Sequence, residues 1–323
     1  MAPPDPMLET RLAALTLRSP VILAAGTAGT LDEVGEVLDL SRVGALVTKS
    51  ITAEPRAGNP PWRVAPLRAG MLNAIGLANP GIDAFMRDHA PRIAGVPTTV
   101  LGSIAGFCID DYVAVARRFS EIDAMPGVEL NVSCPNVHGG VEFGVDPDAL
   151  GELIKRVRAA LGTHQPAGKP TDSALIVKLS PIAVGRPSMV DIARAAIEAG
   201  ADALTISNTV PAMGIEVETR RPMLGNRTGG LSGPAVHPIA LKLVHDVHKA
   251  IARDAGVPII GLGGVLRWQE AAAFILAGAS AVAIGTGLFV NPRIPRKVNA
   301  GLAKWARRQG AQSVRDLVGT LHS

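Results

Sequence analysis

Eight short apolar runs rich in β-branched residues recur along the chain, at 21–26, 45–50, 98–104, 128–133, 174–180, 203–208, 258–264 and 281–287. Between them lie segments with helical spacing, at 31–40, 110–122, 147–160, 189–199, 234–255 and 269–277, so the order reads strand then helix throughout. Alternation of this kind implies a parallel sheet with right-handed crossovers. Eight units in 323 residues, 47% of them hydrophobic, fit a closed α/β cylinder, the (β/α)8 TIM barrel, with its active site at the C-terminal ends of the strands. A doubly wound sheet is the alternative, because GLGGVL at 261–266 superficially matches a dinucleotide-binding loop. That match fails where Leu266 replaces the final small residue, and it follows the seventh strand rather than the first. Two connections are long, 51–80 and 209–233. Both leave the C-terminal face and neither has the low complexity of a linker, so residues 1–323 read as one domain with long loops at that face.

Charge and composition exclude several classes of function. The formal net charge is +4, but acidic and basic residues are interspersed. With 3% aromatic residues and a single tyrosine there is little on which bases could stack, and no nucleic-acid partner is expected. The N-terminus, MAPPDPMLETRLAAL, lacks a basic start followed by an apolar core, and no uncharged run approaches the roughly 20 residues of a membrane span. A cytoplasmic protein without membrane attachment is the expectation. The two cysteines, Cys108 and Cys134, have no CxxC or Cys/His ligand spacing, so this chain alone offers neither a cluster site nor a zinc site. His245 and His248 stand three apart beside the apolar stripe of Val244, Val247 and Ile251, which places them on a solvated outer face rather than on a metal.

Polar residues at the ends of apolar strands carry the functional signal. Lys49 and Lys178 each follow three or more apolar residues, and a buried ammonium needs an anion, either a carboxylate of the barrel or a bound ligand. Two such lysines at one rim favour the ligand. The last two strands end in GLGG and IGTG, where glycines either turn the chain sharply or let backbone N–H groups approach a phosphate. Cys134 could be a small buried hydrophobe, as lone cysteines often are. Its neighbours Asn131, Ser133 and Asn136 are groups that a dry core does not tolerate unpaired, and Gly139, Gly140 and Gly144 make the next segment pliable. These neighbours favour a reactive thiol under a mobile lid. Cys108 has no such company and is expected to pack.

Taken together, ELNVSCPN, GNPPWRVA, MLNAIGLANPG, VKLSP, GGLSGPA and IIGLGGV resemble class 1 dihydroorotate dehydrogenases, specifically the catalytic subunit of the NAD-linked subclass 1B. The resemblance runs from about residue 20 to residue 290, with the motifs in family order. It implies an FMN-binding barrel that oxidises dihydroorotate to orotate in pyrimidine biosynthesis. Cys134 would take the C5 proton while the C6 hydride passes to FMN, with Lys49 also at the reacting centre. Lys49, Asn73, Ala74, Ile75, Gly76, Leu77, Asn131, Asn136, Asn208 and Thr209 match substrate positions. Ala25, Lys49, Ser50, Ser103, Asn131, Lys178, Ile206, Gly233, Gly263, Gly264, Gly285 and Thr286 match FMN positions. Ala25, Ser103 and Thr27 depart from the family's usual Ser, Asn and Cys. The resemblance further implies a homodimer, or a heterotetramer with a second subunit that carries FAD and a 2Fe–2S cluster. The rivals are a dihydropyrimidine dehydrogenase-type FMN barrel acting on uracil or thymine, a barrel for aldol or isomerase chemistry on a phosphorylated metabolite, and a flavin-binding scaffold without chemistry.

Overall fold

The computed structural model describes residues 5–133, 143–162, 173–181, 185 and 187–322. Eight parallel strands close into a barrel: β1 Val21–Leu23, β2 Ala45–Val47, β3 Thr99–Ile104, β4 Gly127–Asn131, β5 Ala174–Lys178, β6 Ala203–Ile206, β7 Ile259–Leu262 and β8 Ala279–Ile284. Each pairs with its neighbours in chain order, and β8 returns to β1 through Val282 opposite Val21. Alternate residues face the lumen, as the two-residue period of a strand requires. Ile22, Val47, Leu101, Ile176, Ile260 and Ala281 meet there in one buried cluster. An N-terminal hairpin, Thr10–Leu12 with Leu15–Leu17, adds Leu12 and Leu17, both fully buried, to the same cluster. Burying each leucine contributes about 1.5–3 kcal/mol relative to leaving it exposed.

The outward strand faces pack on helices α1 Ile82–Asp88, α2 Ile109–Ser120, α3 Pro147–Leu161, α4 Met189–Glu198, α5 His237–Val247, α6 Trp268–Ala277 and α7 Ile294–Arg308. Their ends follow from local chemistry. The Asp146 carboxylate accepts from the N–H groups of Asp148 and Ala149 ahead of Pro147 at the start of α3, and Ser188 and Asp191 form a reciprocal cap on α4. Gly278, with φ +114°, turns the chain out of α6.

The structure corrects four expectations. Segment 31–40 is not an α-helix: it forms 3-10 turns at Glu33–Glu36 and Leu40–Arg42, so the first unit lacks its α-helix. Gly35 and the β-branched Val34 and Val37 are poor helix formers, and Glu33 bonds back to the Leu31 N–H at 2.9 Å. The two long connections are not loops alone. Strands Val64–Leu67 and Gly70–Asn73 from one join Val210–Met213 and Thr228–Ser232 from the other in a four-stranded antiparallel sheet. It has its own small core of Ala65, Leu72, Ala74 and Leu224. His248 is not on a solvated face but half-buried: an added Cβ at Gly278 or at Gly319 would run into its ring. Cys108 does not pack; it is exposed, at the N-terminal cap of α2.

Candidate functional site

Because every barrel strand points the same way, the residues that follow their C-terminal ends converge on one mouth. There they line a cavity of about 270 Å³, near the lower end of the roughly 300–1,000 Å³ usual for ligand pockets. Its walls include Ala25 after β1, Lys49 and Ser50 after β2, Asn131 and Lys178 at the ends of β4 and β5, and Asn208 and Thr209 after β6. Gly263 and Gly264 follow β7, and Gly285 and Thr286 follow β8. The four-stranded sheet and the segments flanking it supply Asn73, Ile75, Leu77 and Gly233. Four sequence-derived candidates lie behind the wall rather than on it. Ser103 and Ile206 are fully buried, Ala74 belongs to the small core, and Gly76 turns with φ +73° against Asn59. Cys134 and Asn136, with His138, Gly139 and Gly140, lie outside the described residues.

Side-chain amides and hydroxyls on one side of the cavity hold each other in place. Asn208 Nδ2 donates to Asn131 Oδ1 at 3.1 Å, and Asn131 Nδ2 donates to Ser50 Oγ at 3.3 Å. Ser50 Oγ in turn shares a 2.8 Å bond with Ser103 Oγ, which is how Ser103 acts from behind the wall. Tyr112 of α2 donates its phenol to the Asn131 carbonyl at 2.8 Å, fixing the end of β4. Ser133, the last described residue before Cys134, accepts from Ser180 Oγ at 3.0 Å. Asn73 Oδ1 is buried and has no hydrogen-bond partner among the described residues. Asn73 is part of the cavity wall, and a buried acceptor left unpaired costs about 1–3 kcal/mol.

Charge on the wall has one sign. Lys49 and Lys178 line the cavity, no Asp or Glu does, and neither ammonium has a hydrogen-bond or ion-pair partner among the described residues. Beside the amides, the wall is backbone. Gly233, Gly263 and Gly264 have φ of +91°, +151° and +68°, a region open to glycine and costly to other residues. His237 Nδ1 contacts the Gly263 carbonyl at 2.9 Å and steadies the turn. At Gly285 an added Cβ would meet no protein atom closer than 3.9 Å, so the protein itself leaves that space open beside the cavity. The wall therefore offers two cations, a hydrogen-bonding amide cluster and a set of glycine turns with open space at Gly285. That set suits a ligand with anionic groups at one end and a flat polar ring at the other.

The family model described as dihydroorotate dehydrogenase matches residues 7–305. The chain belongs to the dihydroorotate dehydrogenase family. Its relatives in that family match along nearly their whole length. It is 44% identical to the catalytic subunit of dihydroorotate dehydrogenase B (NAD(+)) of Desulforudis audaxviator, covering 96% of both chains. Against the Bacteroides thetaiotaomicron protein of the same name it is 42% identical over 97% of this chain and 98% of that one. A Solibacter usitatus relative, 42% identical over 98% of this chain and 99% of its own, has the provisional designation dihydroorotate dehydrogenase A (fumarate). Among solved structures, a dihydroorotate dehydrogenase (DHODH) of Eimeria tenella in complex with ferulenol superposes with a TM-score of 0.83. It is 24% identical and matches over 99% of this chain and 90% of that one, a likeness of fold.

Sequence reading missed part of the cavity lining. Gly26, Ser207, Ser232, Leu231, Leu262 and Leu266 also line the cavity. Ser232 sits inside the GGLSG run that yielded Gly233, and Leu262 continues the lumen-facing alternation from Ile260; both signals were available. Leu231 was not legible, because its place depends on the pairing of two insertions distant in sequence.

Proposed function

We propose that this chain is the catalytic subunit of an NAD-linked dihydroorotate dehydrogenase, oxidising (S)-dihydroorotate to orotate in pyrimidine biosynthesis with FMN in the barrel mouth. The observation that carries the assignment is the pair of lysines, without ion-pair partners among the described residues, that share one cavity with the amide cluster, in a chain that matches this family from residue 7 to 305. The residues fit FMN: the positive-φ glycines Gly233, Gly263 and Gly264, with the open space at Gly285 and the hydroxyl of Thr286, would take the phosphate. Ala25, Ser50, Asn131 and Lys178 would face the ring system, with Ser103 and Ile206 supporting from behind. We read residues 1–323 as a single cytoplasmic barrel domain.

When bound, FMN supplies the hydride acceptor for C6 of the substrate. The chain's own residues do the rest. Lys49 would pair with the substrate carboxylate, and the Asn73 side chain would hydrogen-bond its ring. Asn131, Asn208 and Thr209, already tied to one another, would orient the ring carbonyls, while Ile75, Leu77 and the adjoining Ala74–Gly76 segment would cover the apolar edge. Asn136 is assigned to the same substrate. Cys134, next after Ser133 at the end of β4, is the proposed base for the C5 proton. A free thiol has a pKa of about 8.5, so turnover should rise with pH through the neutral range.

Two cysteines cannot hold a 2Fe–2S cluster here, so electrons would leave through a partner subunit carrying FAD and that cluster. Phe289 and Val290, 57% and 68% exposed, stand on the helical turn that begins at cavity residue Gly287 and offer an apolar contact beside the flavin site. Met213, Ile215 and Val217 are likewise exposed on the inserted sheet region, a candidate surface for homodimer contact. The deciding experiment mixes the purified chain, loaded with FMN, anaerobically with dihydroorotate and then dihydrouracil, and follows the visible flavin band. Bleaching by dihydroorotate alone is expected; bleaching by dihydrouracil alone, or no FMN uptake, would overturn the proposal. Adding NAD with the partner subunit, fumarate or a quinone then identifies the acceptor.

A further inference from the structure

Among the described residues, only two charged side chains are buried: Glu129, 3% exposed, and Lys178, 6% exposed. They lie on adjacent strands of the lumen. Asn131 is registered with Lys178 and Glu129 with Ile176, so Glu129 is the diagonal neighbour of Lys178 one layer further from the mouth. Thr205, directly opposite Lys178 on β6, donates its hydroxyl to Glu129 Oε2 at 2.8 Å. Glu129 Oε1 has no hydrogen-bond partner among the described residues. Lys178 lines the cavity above, while Glu129 lies beneath its floor.

A buried carboxylate with one bare oxygen is a costly way to fill space. Glutamine has the same shape, could keep an oxygen for Thr205, and would place no charge in the interior. What the carboxylate adds is negative charge roughly 7 Å below the end of β5, the rise of two strand residues. We propose that Glu129 is a positioning residue, a buried counter-charge beyond ion-pair distance of the Lys178 ammonium that biases its place at the cavity wall and sets the electrostatic potential at the flavin ring. Resting on the FMN reading above, this makes the Glu129–Thr205 pair a control on how readily the bound ring takes on negative charge.

The test needs no turnover. Sulfite binds oxidised flavin reversibly as an anion and bleaches its visible band, so its dissociation constant reports the potential at the ring. At an effective dielectric near 20, one charge about 10 Å away is worth about tenfold in such a constant. Glu129→Gln should therefore tighten sulfite binding about tenfold. Thr205→Val, which takes the hydroxyl donor off the carboxylate, should shift it more than twofold, and this variant decides alone if Glu129→Gln does not fold. In a Lys178→Met background the gain from Glu129→Gln should shrink. A change under twofold in Glu129→Gln, an unchanged constant in Thr205→Val, or an equal gain in both backgrounds would overturn the positioning role while leaving FMN binding intact. A wild-type chain that takes up no FMN would overturn both this inference and the cofactor assignment.

Discussion

Gly230 sits in the inserted sheet, on the Thr228–Ser232 strand, paired with Asn73 on one side and Pro211 on the other. A Cβ added there would run into Thr209 Oγ1, lie 2.5 Å from Thr209 Cβ and stand 3.3 Å from Asn73 Oδ1. Because the second of these atoms is fixed to the backbone, rotating a side chain cannot relieve the contact. Gly230→Ala must displace Thr209 or the strand, and overpacking of this kind costs about 1–3 kcal/mol. Thr209 and Asn73 are proposed substrate contacts, whereas the proposed phosphate residues Gly263, Gly264, Gly285 and Thr286 follow β7 and β8. If the strain is expressed as lost substrate complementarity, KM for dihydroorotate rises about 5- to 150-fold, at about 1.4 kcal/mol per factor of ten. FMN content, measured by absorbance after denaturation, should stay at the wild-type stoichiometry. Adding Thr209→Gly should remove the clash and recover part of the lost complementarity, less what the Thr209 hydroxyl itself supplies. Steady-state kinetics with FMN titration reads all of this. A Gly230→Ala enzyme with KM within twofold of wild type would refute both the packing and the role given to Thr209.

Other expectations reach different parts of the chain. Cys134→Ser should retain FMN but lose most turnover at neutral pH, because a hydroxyl deprotonates far less readily than a thiol; unchanged turnover would remove the base assignment. Lys178→Met should weaken FMN binding at least several-fold in equilibrium titration, since it deletes one of two cations on the wall. Burial, then the charges of Arg253 and His245, hold His248 below its ordinary value of 6.5, with Asp254 opposing. The folded state therefore binds a proton more weakly than the unfolded chain, and stability declines as pH falls from about 6.5 toward the folded value. A His248→Gln variant should lose that part of the pH dependence in thermal melts, and identical wild-type and variant slopes would contradict it.

The barrel was legible because its signal is local. Each of the eight strands announces itself by an apolar run, and all eight were placed to within a few residues of their observed ends. Capped helices such as α4, with Ser188 and Asp191, were legible for the same reason. Segment 31–40 misled because its apolar spacing fits a helix while Gly35 and two valines weaken one. The inserted sheet was hidden for a different reason. Gly70–Asn73 and Thr228–Ser232 are about 160 residues apart, and no pattern within either fixes their register. His248 misled similarly, its environment being set by Gly278 and Gly319 from elsewhere in the chain.

The same distinction explains which parts of the site could be read. A barrel converts position along a strand into height above the floor, so a lysine or asparagine that ends an apolar run is already placed at the mouth before any contact is known. Lys49, Asn131 and Lys178 are such residues, and all three line the cavity. Glu129 obeys that rule as well, two residues before Asn131 on the same face, and so belongs one layer down. It escapes notice because a single carboxylate inside an apolar strand carries no motif. Its meaning depends on Thr205, two strands away, and on Lys178 between them. Residues that touch a ligand were thus marked by where they stand in the sequence, whereas residues that tune those contacts are recognised only when the strands close and the unsatisfied oxygen becomes visible.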